Sequence, residues 1–305
     1  MPPRATATIP ALFLLAACGA PNLTAPTAKF AQSVTTSAAA IETEFTGEFA
    51  AWQQSYITIH AIKGTPIDLA VLEGTDKPAD EPTVSFSRDA IADRIKAIEA
   101  IKAYATALGS LAGTTVPADI ATDGKKLETD LTGLVKTAKI KDPSFDSYAQ
   151  PITDIAVFFG QQYAQNQRDA AIRAAVQNAD QPFTRITTQL QIDLELLRED
   201  KDGMAARLLQ LRVRGFNRAA KPDNEEKLTP LGTKVMDVET TRQALAHYAA
   251  LDTITAWQKA EASLVTFLKS PQTAQDTASL TVAIDAFATQ VQPLAAAVTA
   301  AKTTK

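Results

Sequence analysis

Apolar residues recur every three or four positions along nearly the whole chain from Phe30 onward. In the first run Phe30, Val34, Ala38, Ile41, Phe45, Phe49, Trp52 and Ile59 fall on one face of a 3.6-residue period, which predicts an amphipathic helix over residues 30–63. At 1.5 Å per residue it is roughly 50 Å long. Gly64 ends it, and residues 64–85 read as an irregular segment broken by Pro66, Pro78 and Pro82. Ser87 is placed to cap a second helix, with Phe86 as its apolar staple and Ile91, Ile95, Ile98, Leu108 and Leu111 as its stripe. Gly113 stops that one. A third helix, weakened by Gly124 and Gly133, follows Pro117 through Ile120, Leu127, Leu131 and Leu134.

The fourth predicted helix covers residues 151–178 through Ile152, Ile155, Phe159, Tyr163, Ile172 and Val176. Asp180 and Pro182 predict a reversal of direction. A fifth helix then carries Ile186, Leu190, Leu194, Leu197, Met204, Leu208 and Leu211, its register crossing Asp200 to Gly203 without a break. The sixth is predicted as one long helix over 230–269, and the seventh spans 272–300 with a kink expected at Pro293. Asp142, Thr229 and Ser270 each precede a proline, a pairing of cap oxygen and preset φ that predicts three helix starts.

About seven long helices joined mostly by short turns predict an all-α, up-and-down bundle. Strict alternation would put the connections near Gly113, Asp180 and Ser270 at the end where the first helix begins. The longer segments, 64–85, 139–150 and 217–229, would lie at the opposite end. Twelve glycines and 6% aromatics in 305 residues suit helices better than sheets. A net charge of −4 argues against nucleic acid as a partner.

Ahead of the bundle, Arg4, the apolar stretch Ile9 to Ala17 and the run Leu15, Ala16, Ala17, Cys18, Gly19 form an export-type leader. That run resembles the lipobox of bacterial lipoproteins, in which the cysteine is acylated and becomes the new N-terminus. The resemblance covers the leader alone. It implies a signal peptide over residues 1–17, a lipidated tether over 18–27 attached through Cys18, and a helical domain over 28–305. It further implies a lipid-anchored protein of a bacterial membrane, with Gly19 after the cysteine pointing to the outer membrane. Cys18 is the single cysteine, so no intramolecular disulfide can form and the body must hold together by packing.

Candidate chemistry is sparse. His60 and His247 lack the Glu-x-x-His spacing of di-iron bundles and are expected to be surface or packed residues, and no cofactor or metal is expected. The acids Asp68, Glu73, Asp76, Asp80 and Glu81 lack the ordered spacing of a calcium loop and are expected to be solvated. Asp89 with Asp93, and Glu195 with Glu199, stand at i, i+4 and are expected on solvated faces. Phosphate loops, nucleophile elbows and zinc-protease motifs are absent. One basic cluster remains: Arg207, Arg212, Arg214, Arg218 and Lys221, which either offsets a helix C-terminus or contacts an anionic partner. Trp52, Trp257, Phe158 and Phe159 are expected in the core.

The function expected from these features is binding, as a scaffold or accessory component held at the membrane by its lipid and meeting a protein or cell-wall partner. A small-molecule-binding or sensory bundle with a pocket near Phe158, Tyr163 and Trp257 is the alternative, and a hydrolytic enzyme comes third.

Overall fold

A computed structural model describes residues 23–73, 85–113, 117–137, 146–162, 168–220 and 225–303. Those residues form an all-α bundle without a strand. The helices are α1 (Thr24–Lys63), the single turn α2 (Leu69–Leu72), α3 (Arg88–Gly113), α4 (Pro117–Thr137) and α5 (Asp146–Gln162). They continue as α6 (Arg168–Ala219), α7 (Glu225–Ala244), α8 (Ala249–Lys269) and α9 (Ala274–Thr303). Cys18, Lys221, Tyr163, Asp142 and most of the acidic segment lie outside the described residues.

The predicted stripes are the buried faces. Phe30, Val34, Ile41 and Phe45 of α1 are fully enclosed, as are Ile98 and Leu108 of α3 and Ile254 and Leu264 of α8. An aromatic chain threads the centre: the rings of Phe287 and Phe30 are 5.9 Å apart, Phe30 and Phe183 6.3 Å, and Phe183 and Tyr104 5.8 Å. It joins α9, α1, α6 and α3 in one core. Helices α4 and α5 form an outer pair, linked to that core through α3 and α6.

Local chemistry accounts for several helix ends. Ser87 Oγ accepts from the Ala90 amide at 3.1 Å, the expected cap of α3. Gly64, at φ 67°, closes α1 in the left-handed conformation that glycine adopts without cost. Ahead of α9, the Thr273 hydroxyl accepts from the Asp276 amide and the Asp276 carboxylate accepts from the Thr273 amide, a reciprocal capping box.

Five expectations need correction. The reversal at Asp180 and Pro182 does not occur: α6 passes straight through both for 52 residues, about 78 Å. The apolar register explains why. Ile172, Val176, Ala179, Phe183, Ile186 and Leu190 are all buried on one unbroken stripe, so packing along the helix outweighs the amide hydrogen bond that Pro182 lacks. The helix predicted over 230–269 is interrupted by a 3-10 turn at Leu245–His247 and an extended Tyr248. Helix α7 packs chiefly on α6, whereas α8 also packs on α9 and α1, so the chain must change course between them.

Thr229 and Ser270 do not cap helices. Pro230 lies inside α7, and Ser270 shapes a turn by accepting from the Gln272 amide, four residues before α9 begins. Helix α1 begins at Thr24, inside the expected tether, because Pro26 occupies a first-turn position whose amide has no intrahelical partner. Finally, Asp68 nucleates α2 within the segment predicted to be irregular, accepting from the Ala70 amide at 2.9 Å.

Candidate functional site

Helix α1 and helix α6 run side by side: Phe30 meets Phe183 and, further along, Glu44 meets Lys201. Lys201 lies opposite the twenty-first residue of α1, so this level is about 30 Å from the start of α1. Beyond it α6 leaves the core and pairs with α7 as a two-helix arm. From Arg212 to His247 no described residue is buried. The seam of the arm is thin. Leu208 and Phe216 on α6 and Leu228, Leu231, Val235 and Val238 on α7 are half-buried, and Gly232 lies close to the Phe216 ring. Val213 and Met236 are exposed on its outside.

The predicted basic cluster sits on this arm. Arg207, Arg214 and Arg218 stand at i, i+7 and i+11, which places them on one stripe of α6. Arg212 lies nearer the seam, its Nε enclosed and without a hydrogen-bond partner among the described residues. Arg207 donates to Gln210 at 2.9 Å, and none of the four forms an ion pair among the described residues. Since α6 ends at Ala219, only Arg218 lies in its last turn, so offsetting the helix dipole does not account for Arg207.

At the base of the arm, residues of α1, α6 and α7 line a cleft of about 260 Å³ that is open to solvent on one side. Trp52, Met204, Leu208, Val238 and Leu245 supply apolar wall, and Glu48, Asp200 and Lys201 supply charge. Glu48 is 3% exposed, and its Oε2 has no hydrogen-bond partner among the described residues. The nearest cation, Lys201 Nζ, is 3.8 Å away and already committed, donating to Glu44 at 2.6 Å and to the Tyr248 hydroxyl at 3.1 Å. Burial pushes the Glu48 carboxyl up to about 7, against the opposing pull of Lys201. Burial also raises Asp200, whose carboxylate accepts from the amide and hydroxyl of Ser85.

Two further charged clusters lie in the core. Asp193 Oδ2 accepts from Arg94 Nε at 2.9 Å and from the Tyr148 hydroxyl at 2.7 Å, with Arg94 stacked over Phe86 at 4.4 Å. This network pins α3, α5 and α6 together. Glu261 of α8 accepts from the Tyr104 hydroxyl at 2.9 Å, and burial pushes its carboxyl up to about 8. Neither cluster borders the cavity at the base of the arm.

Other candidates resolve simply. Trp257 is fully enclosed and donates to Ser37 at 2.8 Å, and Phe158 packs edge-on to Phe159 at 5.3 Å, so these rings belong to the core. Trp52 is 5% exposed and stacks on Tyr56, but it also borders the cavity. His60 packs on Tyr56 and shares a 2.9 Å hydrogen bond with Thr65, while His247 is exposed. Glu195 and Glu199 are on a solvated face, but Asp93 is not: it is buried, with Lys96 at 3.1 Å. Asp93 follows Ala90 by three residues and so falls on the inner side of α3. Among the described residues no three His, Cys, Asp or Glu side chains gather as a metal-holding group, and no helix is long and apolar enough to cross a membrane.

Sequence reasoning missed Glu48, Arg94, Asp193 and Glu261. A signal was present, since each interrupts an apolar stripe at helical spacing, as Glu48 does between Phe45 and Trp52. Comparison with family models, with curated proteins and with solved structures finds no match to this chain.

Proposed function

We propose that this chain is a lipid-anchored accessory protein of the bacterial envelope that acts by binding an acidic protein partner through the α6–α7 arm. The observation that carries this is the arm itself. Two paired helices leave the core, have no fully buried residue among those described between Arg212 and His247, and carry a stripe of arginines without ion pairs among the described residues. A helical hairpin that contributes so little to the core of its own protein is better suited to presentation than to stability. Arginine forks suit bidentate recognition of carboxylates, and the exposed Val213 and Met236 add apolar contact.

The anchor expected at Cys18 precedes the start of α1, and the arm begins about 30 Å further along that helix. That spacing favours a partner away from the home membrane. The lipobox resemblance supports placement in the outer membrane facing the periplasm.

Photo-crosslinking in the native cell tests the arm, with crosslinkers at Val213 and Met236 and a body control at exposed Val282. The expected result is an acidic protein crosslinked from both arm positions, lost in the Arg207→Glu, Arg214→Glu, Arg218→Glu variant and weakened by salt. Equal crosslinking from Val282, or indifference to charge reversal, would refute the arm's role. Cys18→Ser tests the anchor separately, and should release the protein from the membrane fraction.

A further inference from the structure

Helix α6 has a second apolar stripe, on the side turned away from its own core. Ile192, Leu196 and Val213 are exposed on it. With exposed Glu199, Gly203 and Gln210 and half-buried Ala206 they follow one another in alternating steps of four and three residues. That alternation is the seam of paired helices, and it runs roughly 30 Å across body and arm.

Charge and register select what covers this face. From 192 to 202, α6 carries the acids Asp193, Glu195, Glu199, Asp200 and Asp202 against Arg198 and Lys201, whereas from 203 to 218 it carries four arginines and no acid. Exposed Glu195 and Glu199 form no ion pair among the described residues, and neither do Arg207 and Arg214. When two copies of α6 run antiparallel, one setting puts Leu196 level with Val213 of the second copy, Glu199 with Gln210 and Gly203 with Ala206. Every seam position then meets a seam position, and Glu199 stands between Arg207 and Arg214 of the second copy. Parallel pairing in register would instead set Glu199 on Glu199 and Arg214 on Arg214. At the crossing point the residues are small, and a Cβ added to Gly203 meets nothing within 4 Å, so the approach is open.

We propose that a second copy of this chain pairs antiparallel with the first along this face of α6, the arm of each lying on the acidic half of the other. This names the acidic partner of the arm, and it rests on the reading of the arm as a binding element. The pairing is two-fold, so the contact of Leu196 with Val213 occurs twice, once on either side of Gly203 and Ala206. Arginine forks beside each Glu199 add charge and fix the register.

Disulfide trapping of the full chain in the native cell tests the pairing. Leu196→Cys and Val213→Cys are expressed separately and together, and covalent dimer is measured by electrophoresis after mild oxidation. The parent chain, with Cys18 alone, is the control. Coexpression should give at least ten times the dimer of either variant alone, because across an antiparallel pair each position is about 25 Å from its own counterpart, too far for a disulfide. Gly203→Trp, a wedge whose Cβ meets nothing in the single copy, should lower the mixed yield at least tenfold. Arg207→Glu with Arg214→Glu should do the same, and adding Glu195→Arg and Glu199→Arg should restore it, which separates lost pairing from a lost fold. Equal trapping of either variant alone, absence of mixed dimer, or indifference to the wedge or to charge reversal overturns the proposal. If no mixed dimer forms while the crosslinker at Val213 still captures a different acidic protein, the second copy is dismissed and the arm's binding role stands.

Discussion

Replacing Glu261 by glutamine isolates the energetic consequence of enclosing an acid in the centre of the bundle. The carboxyl is 1% exposed and has one hydrogen bond, from the Tyr104 hydroxyl to Oε1, while Oε2 has no hydrogen-bond partner among the described residues. Burial raises it from 4.5 to about 8, and the nearby Asp180 adds to the rise against the lowering effect of the tyrosine bond. In the unfolded chain the ordinary value returns. Between these two values the folded protein holds a proton that the unfolded chain has lost. The sign follows: this group favours folding most below pH 4.5, its contribution falls as pH climbs to about 8, and it is constant above.

Linkage across that window gives a loss of roughly 2–3 kcal/mol between pH 5 and pH 7, and about 4 kcal/mol by pH 9. Glutamine does not titrate and can still accept from Tyr104. Urea unfolding of both proteins at pH 5, 7 and 9 measures the difference directly. The variant should be within about 1 kcal/mol of the parent at pH 5 and pull ahead as pH rises. Glu48 also loses stability between 4.5 and about 7, but it is present in both proteins and cancels in the comparison. Parallel stability profiles from pH 5 to 9 would refute the assignment of a proton to buried Glu261.

The remaining predictions concern packing and the helices themselves. Arg94→Ala should cost roughly 3–5 kcal/mol in denaturant unfolding, because it leaves Asp193 buried with only Tyr148 and Gln189 as donors. Tyr148→Phe, which removes one donor and keeps the charge pair, should cost only about 1–2 kcal/mol. Gly203→Ala should stabilise by about 0.5–1 kcal/mol, since Gly203 is in mid-helix and an added methyl meets nothing within 4 Å. Hydrogen exchange should find the amides of α7 less protected than those of α8, because α7 has no buried residue among those described and α8 has eleven. Equal protection in the two helices would mean that the arm is not a separate, weaker unit.

Periodicity alone made the all-α bundle legible, because a stripe at three and four residue spacing can be hidden from water only by another helix. It also identified Phe30, Ile98, Ile172 and Leu190 as core, and Ser87 as a cap whose partner is three residues away. Local rules failed where distant packing outweighed them. Pro182 forbids one hydrogen bond, yet the buried stripe on either side of it keeps α6 straight through. Leu245 to Tyr248 contain no glycine or proline, yet the helix breaks there, where Tyr248 bonds Glu44, 204 residues earlier in the chain.

The same division holds for the candidate site. The arginine stripe follows from sequence because residues seven and eleven apart share a helix face whatever the fold. Its presentation on an arm, and the burial of Glu48 beside Lys201, depend on which helices meet. That is decided by long-range contacts, and local spacing along the chain does not encode them.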